Sequence, residues 1–196
     1  MGLKPQKYTI STSTHWFGDE IKTYAELYRE LKDFSSVRKV LFDRNAFNNK
    51  STAAAKDKIS KVAYRAESLG EDGLVYLAGA DYRDCKVLVL MTYLNRYRLP
   101  FEFIFESLVT QINDYEPQIN INEFDNFYYE KQALYPAELS LTPSTLKRIK
   151  SQLFNMLVHS GLLEKKSQGI YRLRKIQGTK ELKEFLQGSP YRAMLE

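Results

Sequence analysis

The sequence predicts a mostly α-helical protein, an N-terminal helical bundle followed by a C-terminal unit made of one helix and a short β-hairpin. Three observations predict it. Apolar residues recur at helical spacing through most of residues 19–134. Residues 142–178, TPSTLKRIKSQLFNMLVHSGLLEKKSQGIYRLRKIQG, read as a helix that gives way to two β-prone runs about a Ser-Gln-Gly turn. Between these regions lies YPAELSLTP, residues 135–143, whose two prolines disfavour helix on their N-terminal sides. That join divides the chain into a helical domain, residues 1–138, and a basic domain, residues 139–196.

The first helix spans 19–33, with Asp19 as N-cap and Ile21, Tyr24, Ala25, Tyr28, Leu31 and Phe34 along one side. Ser35 caps a short second helix that buries Val37, Val40 and Leu41 and stops at NAFNNKS. Ser51 or Thr52 starts a third, running to Leu69, with Ile59, Val62, Ala63 and Ala66 inward and Gly70 closing it. From Asp81 to Arg98 apolar residues cover more than one face, so this segment is the buried central helix. After Pro100, residues Phe101, Ile104, Phe105, Leu108, Val109 and Ile112 define another helix that ends before Pro117. Asn122 caps a last bundle helix carrying Phe124, Phe127, Tyr128 and Leu134.

Composition excludes several classes. One cysteine, Cys85, rules out an internal disulfide framework and fits a reducing compartment. The two histidines, His15 and His159, lie far apart and neither belongs to a ligand motif, so no metal and no cofactor are expected. Phosphate loops, nucleophile elbows, nuclease-type carboxylate clusters and zinc spacings are absent from the sequence, which predicts a non-enzyme without catalytic residues. The first sixteen residues lack the apolar core of a secretory signal. The most apolar run, VLVLMTYL at 87–94, is far short of the roughly 20 residues that span a bilayer. The expectation is a soluble, cytoplasmic protein.

Charge singles out the C-terminal unit. Residues 142–178 hold eight basic residues against one acid, Glu164, whereas residues 1–141 hold 18 basic and 20 acidic ones. Concentrating the excess on one helix and hairpin suggests a surface for a polyanion. Thr142 with Pro143, Ser144 and Thr145 forms a helix start whose free amides favour phosphate. Leu146, Ile149, Leu153, Met156 and Leu157 form the buried stripe, leaving Lys147, Arg148, Lys150, Ser151, Gln152 and Asn155 toward solvent, and Gly161 ends the helix. A helix, a Gly-Leu-Leu break and a basic hairpin correspond to the closing half of a winged helix-turn-helix, with the 122–134 helix as the earlier helix of the pair. Ser144, Thr145 and Arg148 then lie near the major groove of double-stranded DNA, with Lys147, Lys150 and Ser151 flanking. Lys165, Lys166, Arg172 and Arg174 meet phosphates from the wing. Plain lysines and arginines hold the backbone more than they read bases, although Arg148 and Gln152 have the chemistry to read base edges.

The segment KVLVLMTYLNRYRLPFEFIFESLV places Leu94, Arg96, Tyr97, Leu99 and Phe103 in an L-x-R-Y-x-L-x-x-x-F arrangement. With STLKRIKSQLFNMLVHSGLL it resembles the BrxA family of BREX bacteriophage-exclusion systems, from about Tyr8 to Leu186. The resemblance implies a small, mostly helical, non-enzymatic component of a multi-protein phage-resistance system, with DNA binding as its activity and other BREX proteins as partners. An adaptor that docks a larger protein, without touching DNA, is the alternative.

Remaining candidates have plainer readings beside them. Arg96 and Arg98 satisfy carboxylates or carbonyls near a helix end, or contact phosphate. Lys50, Lys56, Lys58, Lys61 and Arg65 extend a DNA track or form a solvated face. Asp81 and Asp84 are explained by capping, Cys85 by core packing, and His159 by a bond to the last helical carbonyls.

Overall fold

The computed structural model describes residue 5 and residues 7–196 of the chain. The reading of the first residues as lacking a signal core falls partly on residues 1–4 and 6, outside the described residues. Helix α1 (Gly18–Leu31) buries Ile21, Tyr24, Ala25 and Tyr28, but Asp19 does not cap it: the chain enters through Phe17 in a left-handed conformation, φ 54°. Helix α2 (Phe34–Asp43) is capped by Asp33, whose carboxylate accepts from the Ser36 amide, in place of Ser35. Ser51 caps α3 (Thr52–Ala66) as its hydroxyl predicts.

The largest departure in this half follows Ala66. A 3₁₀ turn, Glu67–Leu69, leads at once into α4 (Gly70–Gly79), which the sequence reading missed because Gly70, Gly73 and Gly79 look like stops. Gly70, at φ 70°, redirects the chain instead of ending a helix, and Leu74 and Leu77 then pack beneath α1. Helix α5 (Tyr82–Leu94), capped by Asp81, is the central helix: every residue from Val87 to Leu94 is buried. Helix α6 (Arg98–Glu102) starts earlier than Pro100 suggested. A proline in a first turn lacks only an amide that has no helical partner anyway. It continues through a π-helical segment, Phe103–Leu108, into α7 (Val109–Gln111).

A three-residue strand, β1 (Gln118–Asn120), precedes α8 (Glu123–Leu134). Helix α9 (Pro143–Ser160) is followed by β2 (Leu163–Ser167) and β3 (Ile170–Leu173). The sheet is antiparallel in the order β1-β3-β2, so β1 and the hairpin lie on opposite sides of the 135–143 join yet share one sheet. Ile119 stands opposite Tyr171, while Leu163 and Leu173 face each other over the core. The hydrophobic core is continuous from Tyr8 to Leu195 across that join.

The last residues return to the bundle. Ile176 bridges Leu195, Thr179 at the start of α10 (Lys180–Phe185) donates to the buried Asp84, and the Tyr191 hydroxyl donates to Asn95 at 2.6 Å. Among the described residues no helix is long and apolar enough to cross a membrane, and no group of three His, Cys, Asp or Glu side chains gathers to hold a metal.

Candidate nucleic-acid interface

Helix α9 is built as its sequence dictates. The Thr142 hydroxyl accepts from the Thr145 amide, Pro143 takes the first position, and Gly161 closes the helix at φ 87°, a conformation that suits glycine. Leu146, Ile149, Leu153, Phe154, Met156 and Leu157 are buried. The opposite face presents Ser144, Lys147, Arg148, Ser151 and Asn155 to solvent, a stripe along the helix that contains no carboxylate. Eighteen residues at about 1.5 Å each give a rod of roughly 27 Å.

The basic residues of this unit fall into two groups. Lys147, Arg148, Lys165 and Lys175 are exposed, and among the described residues no acid pairs with them. Ser144 and Ser151 lie on the same open face, while the half-buried Thr145 hydroxyl accepts from Thr142. The others have partners within the chain. Lys150 is held by Asp125 of α8 and braces the two helices against each other. Arg172 reaches Glu116 at 3.3 Å, Lys166 reaches Glu164 at 2.9 Å, and Arg174 shares the same Glu164. The hydrogen bond from Lys166 and the nearby arginine charges hold the Glu164 carboxyl below the usual range. Exposed pairs of this kind are weak, so little holds these cations on Glu164 and Glu116.

Several candidates are used inside the molecule. Gln152 donates to the Thr12 carbonyl at 2.6 Å, and His159 stacks on Trp16 while its Nδ1 lies 2.7 Å from the Asn155 carbonyl oxygen. The stretch from Thr12 to Trp16 thus covers one flank of α9, and Gln152 is not free to read bases. Tyr171 packs on Phe154. On α3, Lys58 pairs with Glu20 and Lys61 with Asp57.

Arg65 departs furthest from a surface track. It is 1% exposed, lies between the rings of Phe17 and Tyr93, and donates to the Thr92 hydroxyl and to the carbonyls of His15, Trp16 and Val89. Among the described residues no carboxylate hydrogen-bonds to it, and burial pushes its guanidinium down to about 10, still charged at neutral pH.

The L-x-R-Y-x-L-x-x-x-F residues are structural. Leu94, Tyr97, Leu99 and Phe103 are buried at the turn from α5 to α6, and Arg96 donates to the Tyr64 carbonyl. Beside them the buried Glu102 accepts from Tyr8 at 2.6 Å and from Arg98 at 2.8 Å. The acids Asp125 and Glu116, which occupy Lys150 and Arg172, gave no signal in the sequence: 25 and 56 residues separate the partners.

The fold has a solved counterpart. A crystal structure of an uncharacterized protein from Magnetospirillum magneticum superposes with a TM-score of 0.74 over 93% of each chain at 15% identity, a likeness of fold alone. No curated protein matches the chain. The BrxA family model matches residues 6–189. That span holds the α5–α6 turn motif, the whole of α9 and the hairpin, and a match over nearly the full length places the chain in the BrxA family.

Proposed function

We propose that this BREX-associated chain is a DNA-binding accessory component of a phage-defence system, holding duplex DNA chiefly by its phosphate backbone. The acid-free face of α9 carries the proposal, because Lys147 and Arg148 stand on it without an internal partner. The element order supports it: a helix through α6 and α7, then β1, α8, α9, β2 and β3, with β1 beside β3, is that of a winged helix. On this reading the winged unit reaches back across residue 139 to Arg98, α9 enters the major groove, about 12 Å wide, and the hairpin lies along the backbone.

A titration of duplex DNA at two salt concentrations tests it. With roughly four to six phosphate contacts, log K falls with log salt at a slope of about −4 to −5. Binding that is unchanged by salt and by reversing Lys147 and Arg148 to Glu sinks the proposal. One observation favours an adaptor role in the same assembly: Leu134, 70% exposed, and Tyr129 leave an apolar edge on α8. A stable complex with another BREX protein, lost on Leu134→Glu while duplex binding persists, identifies that role.

A further inference from the structure

A cleft of about 710 Å³ lies beyond the C-terminal end of α9, away from the exposed α9 stripe. Five cations line it: Arg83 and Lys86 from the start of α5, and Arg172, Arg174 and Lys175 from β3 and the residues after it. They come together only through the fold, since about ninety residues separate the two sets. Three carboxylates also line the cleft; Arg172 reaches one of them, Glu116, while Arg83 pairs with Asp81 and Arg174 with Glu164 on the exposed surface, which leaves Lys86 and Lys175 without an acid among the described residues.

The second observation is aromatic. Tyr115, at 95%, and Tyr82, at 76%, are the two most exposed large apolar side chains among the described residues, and each is next in sequence to residues that line this cleft. Tyr115 lies between the lining residues Asp114 and Glu116, and Tyr82 immediately precedes Arg83. The Lys86 ammonium sits 4.3 Å from the Tyr82 ring centre and braces that ring from one side. Neither hydroxyl has a partner among the described hydrogen bonds, and neither ring is in contact with another ring, so packing does not account for them.

A cleft lined by five cations, with exposed aromatic rings next in sequence to its lining residues, suits one class of ligand. Duplex DNA hides its base faces in the stack, whereas an unpaired strand offers phosphates to the groove and bases to the rings. We infer that the cleft between the start of α5 and β3 is a binding site for single-stranded nucleic acid, with Tyr115 and Tyr82 as stacking platforms and Arg83, Lys86 and Lys175 as phosphate contacts. The site shares only Arg172 and Arg174 with the duplex surface, so the two readings stand or fall separately.

Fluorescence anisotropy of the full chain with labelled twelve-nucleotide oligo(dT) and oligo(rU), beside a duplex of the same length, tests it. Tyr115→Ala and Tyr82→Ala each weaken single-strand binding at least about fivefold, as loss of one stacked base does. Both leave duplex binding within about twofold, and Tyr115→Phe retains single-strand affinity. Reversing Lys147 and Arg148 to Glu has the opposite pattern, removing duplex binding and sparing the oligonucleotide. The oligo(dT) and oligo(rU) arms assign the strand to DNA or RNA. Failure of both oligonucleotides to bind overturns the inference, and so does binding that is indifferent to both tyrosine-to-alanine changes. Because the two rings are solvent-exposed, their removal does not threaten the fold.

Discussion

Arg65 and Arg148 are the same residue in two opposite situations. In the helical half, Arg65 is buried with all its donors committed to Thr92 and three carbonyls, and its neighbours Lys58 and Lys61 are held by Glu20 and Asp57. Along α9, Arg148 and Lys147 are exposed and unclaimed. The difference shows that composition does not locate a binding surface. What distinguishes the two regions is whether the fold supplies an acceptor for each cation, and a region that leaves its cations unsupplied has them available for something else.

The comparison can be broken most severely at Arg65. Arg65→Met keeps much of the volume but takes the donor from the His15 and Trp16 carbonyls, whereas the Thr92 hydroxyl keeps its bond to the Val89 carbonyl, and a loss of roughly 3–5 kcal/mol is expected in chemical denaturation. A change within 1 kcal/mol would mean that the buried guanidinium is not the fastener its geometry describes. Reversing Lys147 and Arg148 to Glu has the complementary result, stability within about 0.5 kcal/mol of the parent and duplex affinity down at least about tenfold, with the salt slope lower by about 2.

Asp81→Ala removes the cap of α5 and costs about 1 kcal/mol. The Asp84 amide holds the Asp81 carboxyl below its ordinary value of 3.8. Its folded value being the lower one, the contribution is complete above 3.8 and is lost as pH falls through that lower folded value. The stability gap between parent and variant is therefore constant above 3.8 and closes only at the acid end. The smallest effect is expected at Glu164. Glu164→Gln releases Lys166 and Arg174, so duplex binding tightens by about two- to threefold and depends more steeply on salt; weaker binding would show that the carboxylate orients these cations for the ligand.

These outcomes also bear on what was legible in the sequence. Helix α9 was, because Thr142, Pro143 and Gly161 are local signals and the stripe from Leu146 to Leu157 is a periodic one. Strand β1 was not: Gln118, Ile119 and Asn120 carry no strand pattern of their own and become a strand only by pairing with Ile170, Tyr171 and Arg172, some fifty residues on. Helix α4 was hidden by glycines that turn the chain without stopping it. Arg65 sits at helical spacing among lysines, and periodicity cannot show that the carbonyls of His15 and Val89 converge on it. For the same reason the occupancy of Lys150 and Arg172 by Asp125 and Glu116 was out of reach, and the cleft that joins Arg83 to Lys175 exists only once the C-terminal residues have folded back on α5.

Strand β3 lies between two partners, with β1 on one side and β2 on the other. An isolated two-stranded hairpin is marginal in water, and three strands on a hydrophobic face are not. The third strand therefore makes the hairpin persist in the unliganded chain, so the proposed duplex binding would meet a hairpin that is already ordered. Slow amide hydrogen exchange at Tyr171 and Leu173 in the chain alone is the expected signature of a hairpin held in place by its third strand.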